Sequence, residues 1–247
     1  MLRKLRSEVG FGCPVHMCGN PYLYWHHFDP PWQSRQHHNP EGMIALCGEH
    51  HAKADAGAYT NDQLRSFKRA GTEQTAEVKG RFEWMRHHLL AVVGGNFFYE
   101  TPTILMYKDE PSIWLNRNED GYLMLNVRML TTSGEPRMRL EDNFWLTKGN
   151  PEDLESPPSG KRLHVKYPNG DMLKVQFFEL ESVAAANKRY AEAEPERWGL
   201  SYPITAVEVH VAVGGTNVAF GPSQTNLGGI TMKNCFVSHC QAGISIG

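Results

Sequence analysis

The stretch that decides how this chain folds runs from Cys13 to Asp55. It reads Cys13-Pro-Val-His16-Met-Cys18, then Trp25-His26-His27-Phe28-Asp29-Pro30-Pro31, then His37-His38-Asn39-Pro40-Glu41-Gly42-Met43-Ile44-Ala45-Leu46-Cys47-Gly48-Glu49-His50-His51-Ala52-Lys53-Ala54-Asp55. Seven of the chain's twelve histidines and three of its five cysteines lie inside it. From 1 to 59 the sequence is otherwise irregular, with only short apolar runs at 22–25 and 43–46. So little apolar surface cannot hold a fold alone, and a bound metal supplies what the core lacks. Zn2+ takes four Cys or His ligands, delivered as two close pairs. Cys13 and Cys18 make one pair, and Cys47 with His50, spaced C-x2-H, makes the other. His16 is an alternative to Cys18, since it would turn the first pair into a second C-x2-H. Four protein ligands leave no open position, so this site is read as structural.

Outward from that stretch, Thr60 and Gln63 predict a capping box, with Leu64 and Phe67 on one face of the helix that follows. Val78, Phe82, Met85, Leu89 and Val92 or Val93 recur every three to four positions and predict a second helix over 75–93, stopped by Gly94-Gly95. The glycine pair is read as the boundary between a domain at 1–93 and another at 96–247. Beyond it, runs of β-formers at 102–107, 112–115, 122–130, 144–146, 162–167 and 172–180 alternate with Asn- and Gly-containing turns. This predicts an antiparallel, sandwich-like sheet. A helix is expected over 182–194. In the last segment Gly229-Ile230-Thr231-Met232-Lys233-Asn234-Cys235 resembles one rung of a parallel β-helix, and Gly243-Ile244-Ser245-Ile246 the start of another. Two rungs do not make a solenoid, so the tail is expected to pack on the preceding sheet or on another subunit. The expected fold class is α+β, a small zinc-stapled domain with helices followed by a β-rich domain.

Composition narrows the function. The chain has 247 residues, 40% hydrophobic and 21% charged, as soluble globular proteins do. No apolar stretch is long enough to span a bilayer, and the basic start Met1-Leu2-Arg3-Lys4-Leu5-Arg6 leads into no apolar segment. The expected address is the cytoplasm, without a membrane partner. An odd number of cysteines argues against a disulfide framework and for reduced thiols, with Cys235 and Cys240 read as buried. Net charge is -2, which excludes a general basic field for nucleic acid. Residues 1–90, however, hold eleven Lys and Arg against nine Asp and Glu, with nine of the histidines, so phosphate contacts are expected there.

The quoted stretch resembles the HNH endonucleases, the ββα-metal nucleases. That family places a paired Asp-His or His-His, an apolar residue and Pro on a first strand, then a loop with Asn, then a C-x2-C-H or C-x2-H-H segment that opens a helix. Here these match His26-His27-Phe28-Asp29-Pro30, Asn39, and Cys47-Gly48-Glu49-His50-His51, over about 45 residues. The resemblance implies that His27 is the general base and Asn39 its catalytic companion. It implies further that His26 and His51 hold a catalytic divalent ion, Mg2+ or another such as Mn2+. Asp55, one helical turn after His51, would complete that site. One departure is that the usual Asn position, five residues before the third cysteine, is Gly42 here, so either Asn39 positions His27 from a differently shaped loop or this asparagine role is absent. Lys53, Arg65 and Lys68 are candidate contacts to the nucleic-acid backbone. Tyr24, Trp25 and Trp32 are read as a small core against the first strand, with base stacking as the other reading. The function so implied is hydrolysis of phosphodiester bonds in DNA, in a setting such as bacterial or phage defence. The β-rich domain would then recruit, regulate or oligomerise. Two other readings stand beside it: a catalytically dead zinc module that binds DNA, and an assembly protein built on the β-rich domain.

Overall fold

A computed structural model describes residues 1–71, 77–129, 131–134 and 137–247. The chain forms α and β structure with strands predominating, in several sheets. It divides into two compact units, Met1–Arg81 with Leu146–Tyr167, and Phe82–Trp145 with Pro168–Gly247. No helix among the described residues is long and apolar enough to cross a membrane.

The first unit is built on helix α1 (Leu2–Ser7), strands β1 (Leu23–His27) and β2 (Met43–Cys47), helices α2 (Gly48–Asp55) and α3 (Asn61–Gly71), and strand β3 (Glu77–Arg81). β1 and β2 pair antiparallel with His26 opposite Ile44 and His27 opposite Met43. The uninterrupted apolar run Met43-Ile44-Ala45-Leu46-Cys47 is buried at all five positions, because β2 touches all three helices. Its Ile44, Ala45 and Leu46 join Val9, Leu23, Phe28 and Leu64 in one small core, against which Trp25, Tyr59 and Phe67 pack. The capping box is reciprocal: Gln63 N–H donates to Thr60 Oγ1 at 3.2 Å and Thr60 N–H to Gln63 Oε1 at 2.8 Å. Polar ties supplement the apolar ones. The Arg6 guanidinium grips Asp153 through two bonds of 3.0 and 2.6 Å, and the Arg81 N–H donates to the Tyr22 hydroxyl at 2.8 Å.

The second unit contains most of the strands expected from the sequence, among them Thr103–Tyr107, Glu110–Arg117, Leu123–Arg128 and Met172–Leu180. The far end of the expected strand 122–130, Leu130, lies outside the described residues. Ser182 caps the expected helix, observed over Val183–Tyr190, by accepting from Ala185 N–H. Three expectations need correction. The predicted helix over 75–93 is absent among the described residues. Glu77–Arg81 and Leu89–Val93 are strands, while Thr75 and Ala76 lie outside the described residues. The five residues of Leu89–Val93 are all buried between two neighbouring strands, and such a run carries no period that separates strand from helix. Gly94 and Gly95, with φ of 58° and 70°, form the hairpin turn from Leu89–Val93 to Asn96–Tyr99, a conformation that side chains resist. The sheets are also mixed rather than purely antiparallel. Leu89–Val93 runs parallel to Ile204–Ala212, and the tail strands Phe236–Ser238 and Ala242–Ile246 run parallel to Asn96–Tyr99 and Thr103–Tyr107. Parallel partners are joined by long connections, which local patterning does not reveal. The tail thus packs on the preceding strands, and its Cys235 and Cys240 are exposed rather than buried.

Candidate metal centres and active-site cleft

Cys13, Cys18, Cys47 and His50 converge so that one ligand atom from each lies within 4.8 Å of the others. Cys13 and Cys18 sit on a tight knuckle closed by Cys18 N–H to Val15 C=O at 2.9 Å and Gly19 N–H to Cys13 C=O at 3.1 Å. Met17 and Gly19 take positive φ, 61° and 58°, to make the reversal. Cys47 ends β2 and caps α2, which places His50 on the first turn of that helix. Cys18 and Cys47 sulfurs are 3.7 Å apart, and His50 Nδ1 lies 3.4 Å from Cys13 Sγ and 3.2 Å from Cys47 Sγ. A tetrahedral site with Zn–S of about 2.3 Å puts its sulfurs about 3.8 Å apart, so the donor set fits a metal such as zinc. His16, the alternative ligand, is exposed and outside the cluster. Burial raises the Cys13 and Cys18 thiols above their ordinary pKa, which a bound cation would reverse.

A second cluster joins His26, His51 and Asp55, with ligand atoms again within 4.8 Å of one another. His51 and Asp55 share a face of α2 one turn apart, and β1 brings His26 to them. Asp55 spans the two rings: Oδ1 lies 3.0 Å from His26 Nδ1 and Oδ2 lies 3.1 Å from His51 Nδ1. His51 Nε2 reaches the Trp25 carbonyl at 3.3 Å, which fixes the ring and leaves Nδ1 as its donor atom. Two imidazoles and a carboxylate suit a divalent cation and leave coordination positions open. Adjacent His50 and His51 therefore face different clusters.

His27 stands beside this triad in a cavity of about 670 Å³, with Trp32 and Gln33 on the wall. The His27 ring makes a hydrogen bond to the His37 backbone, and its Nε2 is buried with no partner. Burial holds this imidazole below its ordinary pKa, assisted by the neighbouring His37 and His38.

His37, which the sequence marks only as a solvent-facing loop histidine or a phosphate contact, ties the loop together. Its Nδ1 accepts from Asn39 N–H at 3.1 Å and its Nε2–H donates to the Pro30 carbonyl at 2.8 Å. Asn39 itself caps a short turn, its Oδ1 accepting from Glu41 N–H at 3.2 Å, and its side chain faces a different hollow from the one that His27 lines. Gly42 sits where the local backbone admits no side chain. A Cβ there would come 1.8 Å from the Asp29 carbonyl oxygen and 3.1 Å from His37 Cε1, so no side chain fits.

The expected backbone contacts are each taken up internally. Lys53 pairs with Glu49, Arg65 with Asp29 and Asp62, and Lys68 with Glu8 and the Pro40 carbonyl. Trp25 packs on the small core as expected, but Tyr24 and Trp32 are 45% and 40% exposed, so they are surface residues instead. No family model, curated protein or solved structure matches this chain.

Proposed function

We propose that the first unit is an HNH-type endonuclease that hydrolyses phosphodiester bonds in nucleic acid, with DNA as its substrate. The observation that carries this reading is the orphaned Nε2 of His27 beside a His26–His51–Asp55 triad, apart from the four-ligand staple. A structural zinc module needs neither feature, which is why the binding-only alternative is not preferred. Two metals have two duties. Zn2+ held by Cys13, Cys18, Cys47 and His50 would keep the β1–β2–α2 frame closed. A divalent cation, Mg2+ or Mn2+, at the triad would neutralise charge that develops on the scissile phosphate and its leaving oxygen.

The protein's own groups supply the rest. His27 Nε2 takes a proton from a water molecule as the water oxygen bonds to phosphorus. The P–O bond opposite breaks, and the departing alkoxide is protonated by solvent. A neutral base is needed, and a pKa held below the usual histidine value keeps His27 neutral at physiological pH. The His37 ring and backbone position the His27 ring, and Asp55 would hold the cation together with His26 and His51. Incubating the zinc-loaded protein with supercoiled plasmid tests this reading. Nicking that needs Mg2+ or Mn2+ and stops on their removal is expected; no cleavage across a range of divalent ions refutes it.

A further inference from the structure

Pro31, Trp32 and Gln33, from the turn at residues 31–35, form one wall of the cleft, and nothing in the hydrolytic chemistry uses them. The turn is closed by Ser34 N–H and Arg35 N–H to the Pro31 carbonyl at 2.9 and 3.1 Å, and anchored by a bridge between Phe28 and Pro31. Trp32 shows 40% of its surface to solvent and lines the same cavity as His27, its ring centroid 4.7 Å from that of His27. His38 packs beside both rings, its centroid 5.5 Å from that of Trp32 and 6.1 Å from that of His27. Gln33, on the same wall, is exposed with an amide engaged by no described residue. Arg35, also exposed, pairs with no acid among the described residues, in contrast to Lys53, Arg65 and Lys68.

Placed on the cleft wall beside His27, the exposed part of the indole offers a face that a flat partner can cover. In a cleft that attacks phosphodiesters, the partner chemistry that fits is the π-face of a nucleobase. Inside a duplex both faces of every base are covered by neighbours, so an indole beside the scissile phosphate meets a face only where the stack is open. The amide of Gln33 has donors and an acceptor for a base edge, and Arg35 supplies the phosphate contact that the helix cations do not.

We infer that Trp32, Gln33 and Arg35 form a subsite for an unpaired nucleotide next to the attacked phosphate, so that the preferred substrate is a single strand or an unstacked position. This rests on the nuclease reading for its location, but its test does not depend on cleavage. Affinity is measured by fluorescence anisotropy with a labelled 16-nucleotide DNA single strand and the matching duplex. The zinc-loaded full chain is used, with Ca2+ as the only added divalent ion. The wild type is expected to bind the single strand more tightly than the duplex. Trp32→Ala should weaken single-strand binding roughly ten- to a hundredfold while Trp32→Phe retains most of it, since a phenyl face also stacks. Arg35→Ala should lower the slope of log Kd against log salt by about 0.7, one phosphate contact on a single strand. Unchanged zinc content and melting of each variant certify the fold. Equal single-strand affinity for Trp32→Ala and wild type, or tighter binding of the duplex, overturns the subsite. A protein that shows the predicted losses yet cuts nothing would keep the subsite and refute the nuclease reading.

Discussion

The His37 ring stands edge-on to the His27 ring, with centroids 5.1 Å apart and planes at 86°. His27 also hydrogen-bonds the His37 backbone, so the ring and backbone of one residue set the position of the other. The His37 ring is itself clamped between Asn39 N–H and the Pro30 carbonyl. His37→Ala is therefore expected to lower kcat by about 10²-fold, the cost of a misplacement near 1 Å, with KM little changed. His37→Gln should recover much of the loss, since its amide can accept from Asn39 and donate to Pro30. Asn39→Ala, which removes only a turn cap, should lose less than His37→Ala. Steady-state kinetics on plasmid check all three, and a larger loss for Asn39→Ala would return the positioning role to Asn39.

Gly42→Asn introduces the residue that HNH endonucleases, which the stretch resembles, carry five positions before the third cysteine, yet it is expected to damage this protein. The new Cβ would overlap the Asp29 carbonyl, and the Gly42 carbonyl accepts from both Phe28 N–H and Asp29 N–H at 2.9 and 3.2 Å. A shift there displaces the residues that follow His27. Lower activity than Asn39→Ala and a lower melting temperature are predicted; an active, stable Gly42→Asn protein would show that the loop can adopt the family's arrangement.

Much of the candidate site was legible in the sequence, and the reason is local. C-x2-H on the first turn of α2 and His51 with Asp55 one turn apart are fixed by helix geometry, so their grouping follows from spacing. The roles of His37 and Gly42 depend on the Asp29–Pro30 backbone folding across them, which no spacing encodes. Arg65 resembled a phosphate contact until Asp29, 36 positions away in sequence, proved to be its partner. In the second unit, turn and strand signals served well for Glu110–Arg117 and Met172–Leu180, whereas Leu89–Val93 was mistaken for helix because a strand buried on both faces has no alternation.

Zinc content should be one tightly held ion per chain, bound through the staple. Cys47→Ala is expected to lose that ion and to unfold the first unit, because binding energy at such a site is folding energy. His51→Ala should keep the ion and lose cleavage, although His51 adjoins the ligand His50. Metal analysis with circular dichroism checks the pair of variants. Loss of the tightly held ion from His51→Ala would show that the two clusters are not separate.

Burial lowers the His27 pKa, and burial likewise lowers that of His26 against the raising influence of Asp55. A base must be neutral, so kcat/KM should rise with pH along an acid limb centred below about 6.5, the ordinary histidine value. For stability, a folded pKa below the unfolded one means that the unfolded chain binds more protons. The contribution is thus present above about pH 6.5 and is lost as pH falls from there through the folded values. Melting temperature in zinc-containing buffer without other divalent ions should drop across that window. An acid limb centred above 6.5 would contradict the assignment of His27 as a base in a desolvated site.

The most direct test of the central claim is the single-turnover cleavage rate of supercoiled plasmid by zinc-loaded His27→Ala beside the wild type, at saturating Mn2+. Removal of a positioned general base should slow the step by roughly 10²- to 10⁴-fold while zinc content stays unchanged. Equal rates for the two proteins would contradict the account.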